Sequence, residues 1–139
     1  MNKYRYIIGV DTGVNTGIAV WDRKLKKFEI IQTVAIHKAM EFVSVFSAKE
    51  EKCFIRVEDA RKRTWFGKSG REQLQGAGSV KRDAKVWEDF LTDLGVAFEM
   101  VAPKDNKTKL DAKKFCMITG WRETTNEHGR DAAMLTFGF

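Results

Sequence analysis

At 139 residues the chain has the size of one domain able to bury a core. Its 43% hydrophobic and 32% charged residues argue against extended disorder, and no apolar run reaches transmembrane length. The formal charge of +6 suits a polyanionic partner, although basic proteins that never meet nucleic acid share such a balance. Two cysteines, Cys53 and Cys116, stand far apart in apolar surroundings and read as reduced thiols. The N-terminus shows no signal-peptide pattern, so a cytoplasmic protein is expected.

The first element is the stretch Tyr4 to Trp21. Tyr6, Ile7, Ile8 and Val10 form an apolar run that delivers Asp11 to its end, and a glycine-bearing turn, Asp11 to Gly17, leads into a second run, Ile18 to Trp21. Two short strands with a carboxylate at the mouth of a turn result. An acid at the end of a buried strand is costly unless something pairs with it, and a cation is one solution. The charged turn Asp22-Arg23-Lys24 leads to a third strand, Lys26 to Thr33, completing an antiparallel meander. Ala35 to Glu51 has helical spacing through Ile36, Met40, Val43 and Phe46, with His37 expected at the surface.

Cys53 to Val57 reads as a fourth strand ending in Glu58 and Asp59. After a helical crossover it is expected to lie parallel to an earlier strand, and beside the first it would bring Glu58 to the same sheet edge as Asp11. Ala60 to Gly70 contains Arg61, Lys62, Arg63 and Lys68 around Trp65 and Phe66, without an acid, and Arg71 follows it. Basic residues neutralise phosphates and aromatic rings stack on bases; the competing reading is a solvated loop with its rings folded onto the core.

Glu72 to Leu94 is expected to be a long helix, with Leu74, Ala77, Val80, Ala84, Trp87, Leu91 and Leu94 in one stripe. Gly76 and Gly78 within it point to the close approach of another element or of a nucleic-acid backbone. Val96 to Val101 is a fifth strand, Lys104 to Lys109 a polar loop, and Asp111 to Thr119 a helix with Ala112, Phe115, Cys116 and Ile118 or Thr119 inward. A last helix, Glu127 to Phe139, is capped by Asn126 and places His128 and Asp131 on one face. The order predicts a single three-layer α/β domain over residues 1–139, a mixed sheet flanked by helices.

Asp11, Glu58 and Asp131 at two strand ends and a helix start form an acidic constellation, with His128 beside it. Clustered carboxylates persist when a divalent cation neutralises them, and hard oxygen donors favour Mg²⁺ or Mn²⁺. His128 could ligate such an ion or move a proton. The plainer reading makes Glu127 and Asp131 a helix-start charge pair with a surface histidine, and spacing alone favours it.

The motifs IIGVDTGVNTGIAVWD, FIRVEDAR, EQLQGAG and NEHGRDAAML, in that order, resemble the ribonuclease H-like nucleases, and within them the RuvC-type Holliday-junction resolvases. The resemblance implies a ribonuclease H-like fold, five strands with the first three antiparallel. It also implies Mg²⁺-dependent paired nicking of four-way DNA junctions by a homodimer, in recombination and repair. Asp11, Glu58 and Asp131 would be the catalytic, metal-holding acids and His128 the fourth position. Trp65 or Phe66 would enter the junction crossover, and Lys109 or Lys113 would match a basic residue near the scissile phosphate. Thr12 replaces a proline common in the family, and the chain is shorter than cellular resolvases. Alternatives are a nuclease of the same fold acting on RNA–DNA hybrid, a binding scaffold without chemistry, and an actin-like phosphate-binding domain. The last needs a second such domain that this sequence does not repeat.

Overall fold

The computed structural model describes residues 3–50, 52–62, 71–103 and 110–139, with the backbone alone at 71–77 and 80. Five strands form one sheet: β1 (Tyr6–Asp11), β2 (Asn15–Asp22), β3 (Lys27–Ala35), β4 (Cys53–Glu58) and β5 (Ala97–Val101). Four α-helices accompany them: α1 (Ile36–Lys49), α2 (Arg71–Leu94), α3 (Ala112–Thr119) and α4 (Glu127–Met134). The strand order is β3-β2-β1-β4-β5. The first three strands are antiparallel, while β4 runs parallel to β1 and β5 parallel to β4. Each parallel step encloses a helix, α1 before β4 and α2 before β5, as parallel pairing requires a crossover.

Alternation along the strands divides the core into two layers. Tyr6, Ile8 and Val10 of β1 join Ile18, Val20, Ile55 and Val57 beneath α1 and α2, where Val43, Trp87 and Leu91 close the layer. Ile7 faces the other way, with Ala19, Trp21 and Phe28, toward Phe115 of α3 and Ala132 and Ala133 of α4. Strand β1 lies between both layers, which explains its unbroken apolar run.

Several boundaries differ from expectation. The last helix stops at Met134 rather than Phe139, and Gly138 takes a left-handed φ of 84° in the turn that follows. Strand β2 begins at Asn15, because the Thr16 hydroxyl donates to the Gly13 carbonyl at 2.7 Å and closes the turn early. On α3, Phe115 is buried, but Ala112 and Ile118 are exposed, so a single aromatic anchors the helix. A Cβ on Gly78 would meet nothing within 4 Å, so no close approach within the described chain explains that glycine. Gly76 lies outside the described side chains. His37 is exposed, Cys53 is buried and Cys116 half-buried, and both thiols are free. Among the described residues no helix is long and apolar enough to cross a membrane.

Candidate active site

Asp11 closes β1 directly opposite Gly17 of β2. On its other side Val10 aligns with Val57, so Glu58 stands one step further along β4, beside Asp11. Side chains alternate along a strand, so Gly9 and Asp11 share the face of Ile7, and Glu58 shares that of Phe54. Ile7 and Phe54 both belong to the layer beneath α4. The topology thus brings Asp11 and Glu58 to one end and one face of the sheet.

Two glycines let α4 sit directly on that face. A Cβ on Gly9 would fall on the Ala132 carbonyl oxygen, and one on Gly17 on the carbonyl oxygen of His128. Only a residue without a side chain permits backbone to approach this closely. Polar contacts then fix the helix start. Asn126 Oδ1 accepts from the Gly129 N–H at 3.0 Å, capping the helix, and from the Thr33 hydroxyl of β3 at 2.6 Å. The Arg130 guanidinium donates to the carbonyls of Leu110 at 2.8 Å and Thr125 at 2.9 Å, tying the helix to the chain before it.

Seated this way, α4 brings His128 Nδ1 to 3.0 Å from Asp11 Oδ2. An ionised carboxylate only accepts, so toward Asp11 the imidazole donates from Nδ1–H, and in that tautomer Nε2 carries the lone pair. The Asp11 side chain is 13% exposed and that of His128 38%, so the pair is held from the protein side and open to solvent on the other. Asp131, one turn further along α4, is half-buried. The oxygen donors of Asp11, Glu58 and Asp131, with an imidazole, have the chemistry of a hard divalent-cation site. Among the described residues, however, no three Asp, Glu, His or Cys side chains are gathered closely enough to hold an ion. The donor types fit a metal; the gathered arrangement is not in place.

The expected DNA-contact residues are distributed differently. Arg61 lies in a 3-10 turn, Ala60–Lys62, where it donates to Asp59 at 2.9 Å and to Glu88 of α2 at 3.2 Å. Asp59 first and Glu88 second raise its pKa beyond the ordinary arginine value. Lys62 Nζ donates to the Met100 carbonyl at 2.7 Å, and Lys113 is exposed on α3. Arg63, Trp65, Phe66, Lys68 and Lys109 lie outside the described residues, and of Arg71 only the backbone is described.

Two buried acids escaped the sequence reading. Burial opposes ionisation of Asp59, but hydrogen bonds from the Arg61 side chain and backbone, with the charges of Arg61 and Lys62, hold its pKa below the usual carboxylate value. Asp22, buried at the end of β2, accepts from Arg5 at 2.9 Å, and chiefly this bond holds its pKa low against burial. For Asp59 the sequence signal is Arg61 two positions on, whereas for Asp22 the partner Arg5 lies seventeen positions away and only the fold brings it close.

No protein-family model and no curated protein sequence matches the chain. Solved structures do. At 18% identity and a TM-score of 0.61, it is similar to T. thermophilus RuvC in complex with Holliday junction substrate, with 95% of this chain and 90% of that one covered. A second Thermus thermophilus RuvC structure matches at 14% identity and a TM-score of 0.53, covering 94% of this chain and 90% of that one. The strand order, the antiparallel first three strands and these likenesses agree: the chain has a RuvC-like, ribonuclease H-like fold.

Proposed function

We propose that the protein is a divalent-metal-dependent endonuclease acting on branched DNA, with Holliday junctions as the leading substrate. The observation that carries this reading is the Asp11–His128 pair at 3.0 Å, at the sheet end where Glu58 stands beside Asp11. A protein that only bound phosphates would gain nothing from acids there. The fold shared with RuvC supports the same reading, since one of those relatives is seen with a Holliday junction.

Asp11, Glu58 and Asp131 would hold Mg²⁺ or Mn²⁺. Such an ion supplies neutralisation of the carboxylates and activation of water for phosphodiester hydrolysis. The chain's own part is derived from the pair. Asp11 orients the imidazole through Nδ1, so Nε2 is available to accept a proton from an attacking water. Arg61 serves the site indirectly, since it fixes the segment after β4 to α2. Lys62, Lys113 and the basic segments at 63–71 and 104–109 would meet the DNA backbone, and a homodimer would present two sites to two strands.

The test is incubation with a synthetic four-way junction and a matched linear duplex, in Mg²⁺ and then in EDTA, beside Asp11→Asn. Selective, metal-dependent cutting of the junction that Asp11→Asn abolishes supports the reading. Equal cutting of both DNAs removes junction selectivity. Cutting in EDTA, or by the variant, removes the metal mechanism.

A further inference from the structure

The sheet has a second distinctive end. Opposite Asp11, where β1 begins, a cleft of about 920 Å³ opens between three segments that are distant in sequence, together with Phe139. Lys3 precedes β1, Lys24 and Lys26 occupy the β2–β3 turn, and Lys49 and Lys52 flank the α1–β4 connection. All five lysines are exposed, and none forms an ion pair among the described residues. Glu50 lines the cleft with them and Glu29 acts on Arg5 and Tyr6 of its wall, and the five lysines outnumber these acids.

The walls of this cleft are fixed by hydrogen bonds, and of its lysines Lys3 rests its Nζ over the Tyr4 ring, 5.2 Å from the centroid. Arg5 is held by Asp22, and the Arg23 guanidinium donates to the carbonyls of Tyr4 and Phe139, each at 2.9 Å. Asp22 Oδ1 also accepts from the backbone N–H of Lys24 at 2.9 Å and of Leu25 at 3.2 Å, while Lys26 takes a left-handed φ of 54°. A turn pinned by its own buried acid therefore carries two of the lysines. The two arginines are occupied as framework, and the lysines supply the free charge.

We propose that this cleft is a second nucleic-acid contact, which takes the sugar–phosphate backbone of a DNA duplex arm at the pole opposite the Asp11–His128 site. Exposed lysines on flexible stems act as point charges that neutralise phosphates without fixing their orientation. Spread over three segments, they match a repeating polyanion held irrespective of sequence better than a single small anion. The five steps of β1 at about 3.3 Å each put the two poles about 17 Å apart, within one turn of duplex. The choice of DNA over another polyanion rests on the nuclease reading; the charged surface does not.

The experiment measures binding of a fluorescent linear duplex by the full chain carrying Asp11→Asn, over a range of salt. It is repeated after adding Lys24→Ala, Lys26→Ala and Lys52→Ala together, and again with arginine at the same three positions. Three lost phosphate contacts should reduce the slope of log affinity against log salt by about 2–3 and weaken binding about tenfold or more at low salt. The arginine form should bind like the parent. An unchanged slope and affinity in the alanine form overturns the proposal, as does equal loss in the arginine form. Retained duplex binding with lost binding to phosphatidylserine vesicles overturns it in favour of a membrane surface. Junction cutting with Asp11 intact is read separately. Duplex binding with the predicted salt behaviour but no cutting leaves the cleft standing and removes the nuclease; cutting with unaltered affinity in the alanine form does the reverse.

Discussion

The carbonyl oxygen of His128 rests against Gly17, at the position where any other residue would carry its Cβ. Gly17 is the strand partner of Asp11, so the contact that seats the helix also sets the height of His128 over the acid. Gly17→Ala should push the start of α4 away from the sheet. Overpacking of this kind costs about 1–3 kcal/mol. The expected result is a lower unfolding midpoint in urea together with a loss of nuclease rate larger than the folding defect explains. A loss of stability with full nuclease rate would show that the height of α4 does not set the chemistry.

His128→Asn separates the two nitrogens of the imidazole. The amide can still donate toward Asp11 Oδ2 near the place of Nδ1, but it offers nothing at Nε2. If Nε2 accepts the proton from water, single-turnover junction cutting should fall by roughly 10²–10⁴ while urea unfolding stays close to that of the parent. Near-normal cutting would reduce His128 to a support for Asp11.

Asp22 and Asp59 make the fold sensitive to acid. Each has a folded-state pKa below the ordinary 3.8, so each binds its proton more readily in the unfolded chain. Their stabilisation is fully present above the unfolded value and is lost as pH falls through the folded one. Thermal unfolding should show a midpoint insensitive to these groups above about pH 5 and falling below about pH 4. Asp22→Asn should start from a lower midpoint and show a shallower acid decline. An acid limb as steep as the parent's would place the sensitivity elsewhere.

Cys53 and Cys116 should differ in reactivity. Burial pushes the Cys53 thiol up to about 12, so it is protonated at any pH at which the protein is handled. The thiolate is the reacting species. At pH 8 a maleimide or disulfide reagent should label Cys116 in the folded protein and both thiols only after denaturation. Labelling of Cys53 without unfolding would mean that β4 opens locally.

Much of the scaffold was legible because strand and helix patterns follow from local burial. The run ending in Asp11, the Asn126 cap and the Ala84-Trp87-Leu91 stripe all need only their neighbours in sequence to be read. What was not legible depends on residues far apart in the chain. Gly17 reads as a turn glycine until α4 is laid across it, and Gly9 as an ordinary strand residue until Ala132 is brought close. Arg61 reads as a cation of a basic loop until Glu88, twenty-seven positions away on α2, accepts from it. Asp22 reads as a turn acid until Arg5, seventeen positions away, reaches it. The expectation of helix out to Phe139 failed for the opposite reason: an apolar stretch that packs well need not be helical, and Gly138 turns it.

The helix bearing His128 and Asp131 is fastened to the sheet partly by main-chain atoms, carbonyl against glycine, in addition to the side-chain contact of His128 with Asp11. The main-chain part of that mounting is made by backbone carbonyls and does not use the side chains at positions 128 and 131. Exchanging those residues for other ligands or bases leaves the carbonyl-on-glycine contacts of the helix available. The scaffold is therefore a suitable host for redesign: altered metal preference or altered proton chemistry can be sought at those two positions while Gly9 and Gly17 are kept.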